Sequence, residues 1–356
     1  MVELAAAQRQ AGHEVDLVSA PAPRSMQPSL RERAAEAGFE SLVELRRARG
    51  WNPWRDRRDT AALRRLVVER RYDVVHTWHT RDHLLGLRAV AGRRRGPERT
   101  ALVRSYKLAE PIPPLPWNRW LFGPASDGLL CVSRAAAEAN RRLRGGRPVG
   151  WSFGAIDLER FRPGAGAAGR AALGLEPGHR VIGIVARAQR HRRFDLLLEA
   201  FARLVAERPE ARLVVVGRGT HFEETAVEPA RRLGLDESVV FAGYRTEDYV
   251  DVLRAFDVFS FLVPGSDGGC RALLEAHACG LPAVTTRRGA LPEIVAEGET
   301  GLLVDEEPEA LAGAWRALLG DDARREKLAR AARVRAENEF SRARLVERVD
   351  ALYASL

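Results

Sequence analysis

Two carboxylates eight positions apart, Asp267 and Glu275, are the side chains of this 356-residue sequence best spaced for joint chemistry. Between them run Gly268, Gly269, Cys270, Arg271, Ala272, Leu273 and Leu274, and Gly280 closes the stretch. An apolar run, Val258 to Val263, precedes them, with a turn at Pro264-Gly265-Ser266. This order reads as a strand, a glycine-bearing loop and a helix. One acid then falls in the loop and the other about a turn and a half into the helix. Glycines let backbone N–H groups approach a ligand closely, and a helix N-terminus adds partial positive charge that suits a phosphate. The same spacing also fits an ordinary strand-to-helix connection with a surface acid, because a lone glycine loop is a weak signal.

The elements that must position these residues alternate along the chain. A helix over Val2–Gln10 ends at Ala11-Gly12-His13, and Glu14–Ser19 reads as a strand. Helical stretches follow over about Ser29–Arg47 and Thr60–Arg71. The expected strands of the first half are then Asp73–Trp78, Ala101–Tyr106, Gly128–Val132 and Val149–Phe153, with helices over Asp82–Ala91 and Ser133–Leu143. A linker is expected at Phe161-Arg162-Pro163-Gly164-Ala165-Gly166. Beyond it, strands are expected at Val181–Val185, Leu213–Val216, Val239–Phe241, Val258–Val263, Ala283–Thr285 and Leu302–Val304, with helices between them. A helical tail over roughly Asp322–Ser355 breaks near Phe340-Ser341. Repeated strand–helix alternation predicts α/β architecture: two doubly wound parallel sheets in tandem, with ligands at the carboxyl ends of the strands.

Length agrees with two domains, each able to bury a core. No run of about 18 apolar residues predicts a membrane span, and the first residues lack the basic start and apolar centre of a signal peptide. Three cysteines, Cys131, Cys270 and Cys279, without paired spacing predict neither a disulfide framework nor a zinc site, as in a cytoplasmic protein. The net charge of +9 is unevenly placed. Residues 1–163 hold 30 Lys and Arg against 18 Asp and Glu, a net of +12. An anionic membrane face, a phosphorylated substrate and nucleic acid are the candidate partners. So is mere compositional drift, since only Lys107 and Lys327 among the basic residues are lysines. No nucleic-acid-binding motif accompanies the charge, so nucleic acid is not expected as a partner. The loop Trp51-Asn52-Pro53-Trp54-Arg55 sets tryptophans among arginines, a composition that fits either a membrane interface or packing on the domain.

Several motifs stand in one register along the second half. They are Val185-Ala186-Arg187 with Arg192, Leu213-Val214-Val215-Val216-Gly217-Arg218-Gly219, and Val240-Phe241-Ala242-Gly243-Tyr244. The Asp267–Glu275 stretch comes next, followed by Pro292-Glu293-Ile294-Val295 and Gly298-Glu299-Thr300-Gly301-Leu302-Leu303-Val304. In the first half, Ala11-Gly12-His13-Glu14-Val15, Asp73-Val74-Val75-His76, Cys131-Val132-Ser133 and Asp157-Leu158-Glu159-Arg160-Phe161 recur in the same way. Together they resemble the family 4 glycosyltransferases of the GT-B fold, over essentially the whole chain. The resemblance implies an N-terminal acceptor-binding domain over 1–163 and a donor-binding domain over 164–336. A helix over 337–356 would pack back on the first domain. The family's first strand and its glycine-rich loop have no counterpart before Val2.

The resemblance also implies roles. Asp267 and Glu275 occupy the two acid positions of a Glu-x7-Glu motif, with Asp267 one methylene shorter than the usual first acid. Glu275 would hold the ribose hydroxyls of a nucleotide-sugar, and Asp267 would contact the donor sugar near its anomeric carbon. Gly268, Gly269 and Cys270 would present N–H groups to sugar and phosphate. Arg187 and Arg192 would bind the diphosphate, whose developing charge as a leaving group needs fixed cations and no metal cofactor. Gly217, Gly219, Tyr244 and Arg245 would line the base pocket, although Tyr244 fits packing alone nearly as well. Lys107 stands where the family often has an acceptor-side histidine, and His79 is the other acceptor-side candidate; a packed or solvated histidine fits His76, His79 and His83 equally. The implied activity is a retaining transfer of a sugar to a hydroxyl of a glycan or lipid-linked acceptor, as in lipopolysaccharide and other cell-envelope synthesis. Peripheral membrane contact would come through the basic first half. The alternative is a non-catalytic relative that binds nucleotide or sugar.

Overall fold

Short, largely apolar runs form the two parallel sheets of the chain, and those of Gly128–Cys131, Val258–Phe261 and Ala283–Thr286 are buried throughout. A computed structural model describes residues 1–21, 29–40, 43, 45, 54, 56–264 and 269–356. The chain divides into two units, Met1–Ala155 with Arg342–Leu356, and Ile156–Ser341.

In the first unit, strands β1 (Val74–Thr77), β2 (Ala101–Tyr106), β3 (Gly128–Cys131) and β4 (Val149–Trp151) lie side by side in sequence order. The helix Arg342–Ala354 belongs to this unit: Leu345, Val349 and Leu352 pack with Leu4, Val103 and Leu130. In the second unit, β5 (Arg180–Val185), β6 (Ala211–Val216), β7 (Val239–Gly243), β8 (Val258–Phe261), β9 (Ala283–Thr286) and β10 (Gly301–Val304) take the order β10-β9-β8-β5-β6-β7. The strand order reverses between β5 and β8, so connections leave toward opposite faces there and open a crevice at the strands' carboxyl ends. Trp315, fully buried, donates its Nε1–H to Ser260 Oγ at 2.7 Å and ties the covering helix Pro308–Leu319 to the sheet.

The sequence reading placed the junctions at 163 and 336, whereas the units divide at 155/156 and 341/342. Ile156 N–H donates to Phe340 O, and Arg333 Nη1 donates to Phe161 O at 2.8 Å, which fastens 156–161 to the second unit. Other boundaries also shift. Glu14 to Val18 has no regular secondary structure, and of the expected strand only Ser19 makes a bridge; Val15 and Leu17 pack with Ala5, Ala34 and Phe39. Of the helix expected over Ser29–Arg47, Leu30–Glu36 is helical and stops before Gly38, whose φ of +75° turns the chain; beyond Glu40 only 43 and 45 of that span are among the described residues. The helix expected from Thr60 starts at Arg57 and ends at Arg70. Of the Trp51–Arg55 loop only Trp54 is described; it is exposed, with the Arg57 guanidinium over its ring. All three cysteines are free and buried. No helix among the described residues is long and apolar enough to cross a membrane.

Candidate functional site

Basic residues gather at the carboxyl edge of the second unit's sheet. Arg187 lies in the loop after β5, exposed, with no ion-pair partner among the described residues. The turn Arg190–Arg192 follows, and Arg192 Nη1 donates to Val263 O at 2.7 Å, just beyond β8. That contact carries a guanidinium across the β5/β8 switch. The turn is anchored behind by Arg193, whose Nη1 lies 2.6 Å from Glu306 Oε2. Arg288 grips the same carboxylate, and its hydrogen bonds hold Glu306 below the usual carboxylate range.

Gly217 and Gly219 follow β6. A Cβ at Gly217 would stand 2.0 Å from Ala186 O, and one at Gly219 would stand 2.2 Å from Ala188 O. Their missing side chains let this backbone lie directly against the two residues that flank Arg187. Gly217 also has φ of +146°, which side-chain-bearing residues rarely adopt. Both glycines therefore position the arginine loop.

Asp267 and Gly268 lie outside the described residues, so the first acid of the pair and one of its glycines have no structural account. Gly269 is half-buried, and Cys270, buried and left-handed at φ +47°, leads into the helix Arg271–Ala278. Glu275 projects from that helix and is only 6% exposed. Tyr249 Oη donates to its Oε2 at 2.8 Å, and Arg271 Nε donates to its Oε1 at 2.8 Å. A buried carboxylate needs such donors, and each oxygen keeps a further lone pair for a ligand hydroxyl.

At the end of β7, Tyr244 is 55% exposed, and the Arg218 guanidinium lies 4.5 Å from its ring centroid. Arg245 is turned inward: its Nε donates to Ala242 O at 2.9 Å and its Nη1 pairs with Asp248 at 2.8 Å. The free face at this edge is therefore the Arg218–Tyr244 stack.

In the first unit, His79 and Lys107 stand just past the carboxyl ends of β1 and β2. Lys107 Nζ lies 3.5 Å from His79 Nε2. Burial, then the Lys107 charge, lower the His79 pKa from its ordinary 6.5, against the pull of Asp82. His76 and His83 are framework residues. His76 bonds Tyr353 Oη at 2.7 Å and Ser105 Oγ at 2.8 Å, and His83 bonds Thr77 Oγ1 at 2.9 Å and Ser126 Oγ at 3.0 Å. Burial lowers them to about 3 and about 4. Arg104, in β2, is buried with Nε and Nη1 unbonded among the described residues, and burial lowers its pKa to about 10.

The edge of the second sheet can hold an anion through Arg187 and Arg192 and hydroxyls through Glu275; the His79–Lys107 pair can hold a second anionic group. Tyr249, Arg218 and Arg271 were not singled out by sequence. Arg271 was legible as an i,i+4 partner of Glu275. Tyr249, 26 residues from Glu275, gave no local signal.

Residues 1–160 match the family model described as Glycosyltransferase Family 4, and residues 168–335 match that described as Glycosyl transferases group 1. Over 253 residues the chain is 39% identical to a D-inositol 3-phosphate glycosyltransferase of Rhodococcus jostii, covering 67% of this chain and 56% of that protein. The chain thus spans little more than half the length of the curated relatives it matches first. Among solved structures, a glycosyltransferase from Rickettsia africae superposes with a TM-score of 0.81 at 16% identity, covering 99% of this chain and 92% of that one. Anabaena HepE in complex with UDP and glucose superposes with a TM-score of 0.76 at 17% identity, covering 100% and 95%. At these identities the structural likeness concerns the fold.

Proposed function

This chain belongs to glycosyltransferase family 4, with the GT-B fold, and we propose that it moves a sugar from a nucleotide-sugar to a hydroxyl of an anionic acceptor with retention of anomeric configuration. The observation that carries this reading is the placement of Arg187, Arg192 and Glu275 around the switch point of one parallel sheet. Glu275 takes the ribose hydroxyls, and Arg187 and Arg192 take the diphosphate. The acceptor oxygen bonds to the anomeric carbon as the bond from that carbon to the phosphate oxygen breaks. The acceptor proton passes to the leaving phosphate on the same face. Two guanidinium groups, that of Arg192 held by Val263 O, stabilise the charge that develops there, so the proposal needs no metal. Asp267 acts on the donor sugar and not as a nucleophile, and the exposed Tyr244 offers a face for the base.

The acceptor half of the proposal rests on His79 and Lys107. A neutral imidazole beside an ammonium suits a phosphate-bearing acceptor. The name of the curated relatives, D-inositol 3-phosphate glycosyltransferase, supports the same class. A lipid-linked cell-envelope acceptor would present the same phosphate, and the net charge of +12 over 1–163 supports contact with an anionic membrane. The test is release of nucleoside diphosphate from a panel of UDP-, GDP- and ADP-sugars, with inositol phosphate or a lipid-linked phosphate as acceptor. One donor should be turned over, faster with a phosphorylated acceptor than with its dephosphorylated form. Binding without turnover of any donor would favour the sugar-binding alternative.

A further inference from the structure

We infer that Tyr249 is a positioning residue for Glu275, fixing the carboxylate so that its outward lone pairs meet the ribose hydroxyls of the donor. The inference rests on the assignment of Glu275 to the ribose. Its ground is geometric. Glu275 is nearly fully buried, and its side chain has several rotamers to choose from. The Tyr249 hydroxyl, 2.8 Å from Oε2, comes from a different helix, Tyr249–Arg254. Arg271, 2.8 Å from Oε1, comes from the glutamate's own helix and is half-exposed. The tyrosine is therefore the contact that ties the acid to a second element.

The ring itself is held. It packs edge-on against Phe161, with centroids 6.0 Å apart. Phe161 is buried, and its carbonyl is bonded by Arg333 at 2.8 Å. Burial, then the neighbouring Glu275 carboxylate, push the Tyr249 pKa well above 10, so the phenol keeps its proton and remains a donor. A carboxylate accepts about four hydrogen bonds. One from Tyr249 and one from Arg271 leave room for the two ribose hydroxyls.

Tyr249→Phe removes the donor and keeps the ring against Phe161, so the fold is expected to persist. Calorimetry with whichever of UDP, GDP or ADP binds best, and with its 2′-deoxy form, reads the ribose preference. Wild type should prefer the ribose form by about 10-fold, the scale of a hydrogen bond to a charged group. Tyr249→Phe should cut that preference to about 3-fold or less and leave affinity for the deoxy form unchanged. Donor KM should rise by the same factor with kcat nearly constant, a split that general loosening of the fold would not give. Glu275→Gln separates the two claims. Full ribose preference in Glu275→Gln overturns the ribose assignment itself. Loss of preference in Glu275→Gln, with full preference in Tyr249→Phe, overturns the positioning role alone. An equal loss of ribose and deoxy binding in Tyr249→Phe also overturns it.

Discussion

Lys107 Nζ and His79 Nε2 lie 3.5 Å apart, although the two residues are separated by 28 positions and follow different strands. The parallel pairing of β1 with β2, Thr77 opposite Arg104, brings the two strand ends together. The sequence offered them as separate acceptor-side candidates; the register brings their side chains together. Lys107→Met removes one of the charges that lower the His79 pKa. The imidazole should then titrate closer to 6.5, as followed by NMR. KM for a phosphorylated acceptor should rise about 10-fold or more, the weight of a lost charged hydrogen bond, with donor KM unchanged.

Gly217→Ala tests the link between the glycines and Arg187. The added Cβ would meet Ala186 O at 2.0 Å, so backbone must move, at a φ that alanine disfavours. The expected cost is about 2–4 kcal/mol by urea unfolding, from overpacking plus backbone strain. Nucleoside diphosphate affinity should fall as well, because the shifted backbone carries Arg187.

Acid should destabilise both units. His76 and His83 in the first and His277 in the second are held neutral by burial, with folded pKa values of about 3, 4 and 4 against 6.5 unfolded. Between those values and 6.5 the unfolded chain binds protons that the folded chain does not. This contribution to stability is full above pH 6.5 and is lost as pH falls toward 4, by up to about 1.4 kcal/mol per pH unit for each histidine. His277 Nε2 is buried without a hydrogen-bond partner among the described residues. His277→Leu should therefore unfold at higher urea at pH 5 than wild type and flatten the second unit's dependence on pH.

Much of the second unit was legible because its strands are apolar runs bounded by glycines, and the pattern of a buried parallel strand is local. The roles given to Arg187, Arg192 and Glu275 came from the family resemblance of the motifs that surround those runs, not from the runs themselves. The Tyr249–Glu275 bond was not legible, because it depends on how two helices pack. Nor was the work of Gly217 and Gly219, which were read as pocket lining; their close approach to Ala186 and Ala188 exists only once β5 and β6 are paired. Of Glu14–Ser19, which reads as a strand, only Ser19 makes a bridge, because β-like composition forms a ladder only along a paired neighbour.

The central claim is that a nucleoside diphosphate binds at the edge of the second sheet through Arg187 and Arg192. Thermal unfolding with UDP, GDP or ADP tests it most directly, in wild type and in Arg187→Ala. A ligand of the folded state at 100 times its Kd stabilises by about 2.7 kcal/mol, a shift of a few degrees. One of the three should give that shift in wild type, and Arg187→Ala should lose most of it. No shift with any of the three, or an undiminished shift in Arg187→Ala, would contradict the assignment.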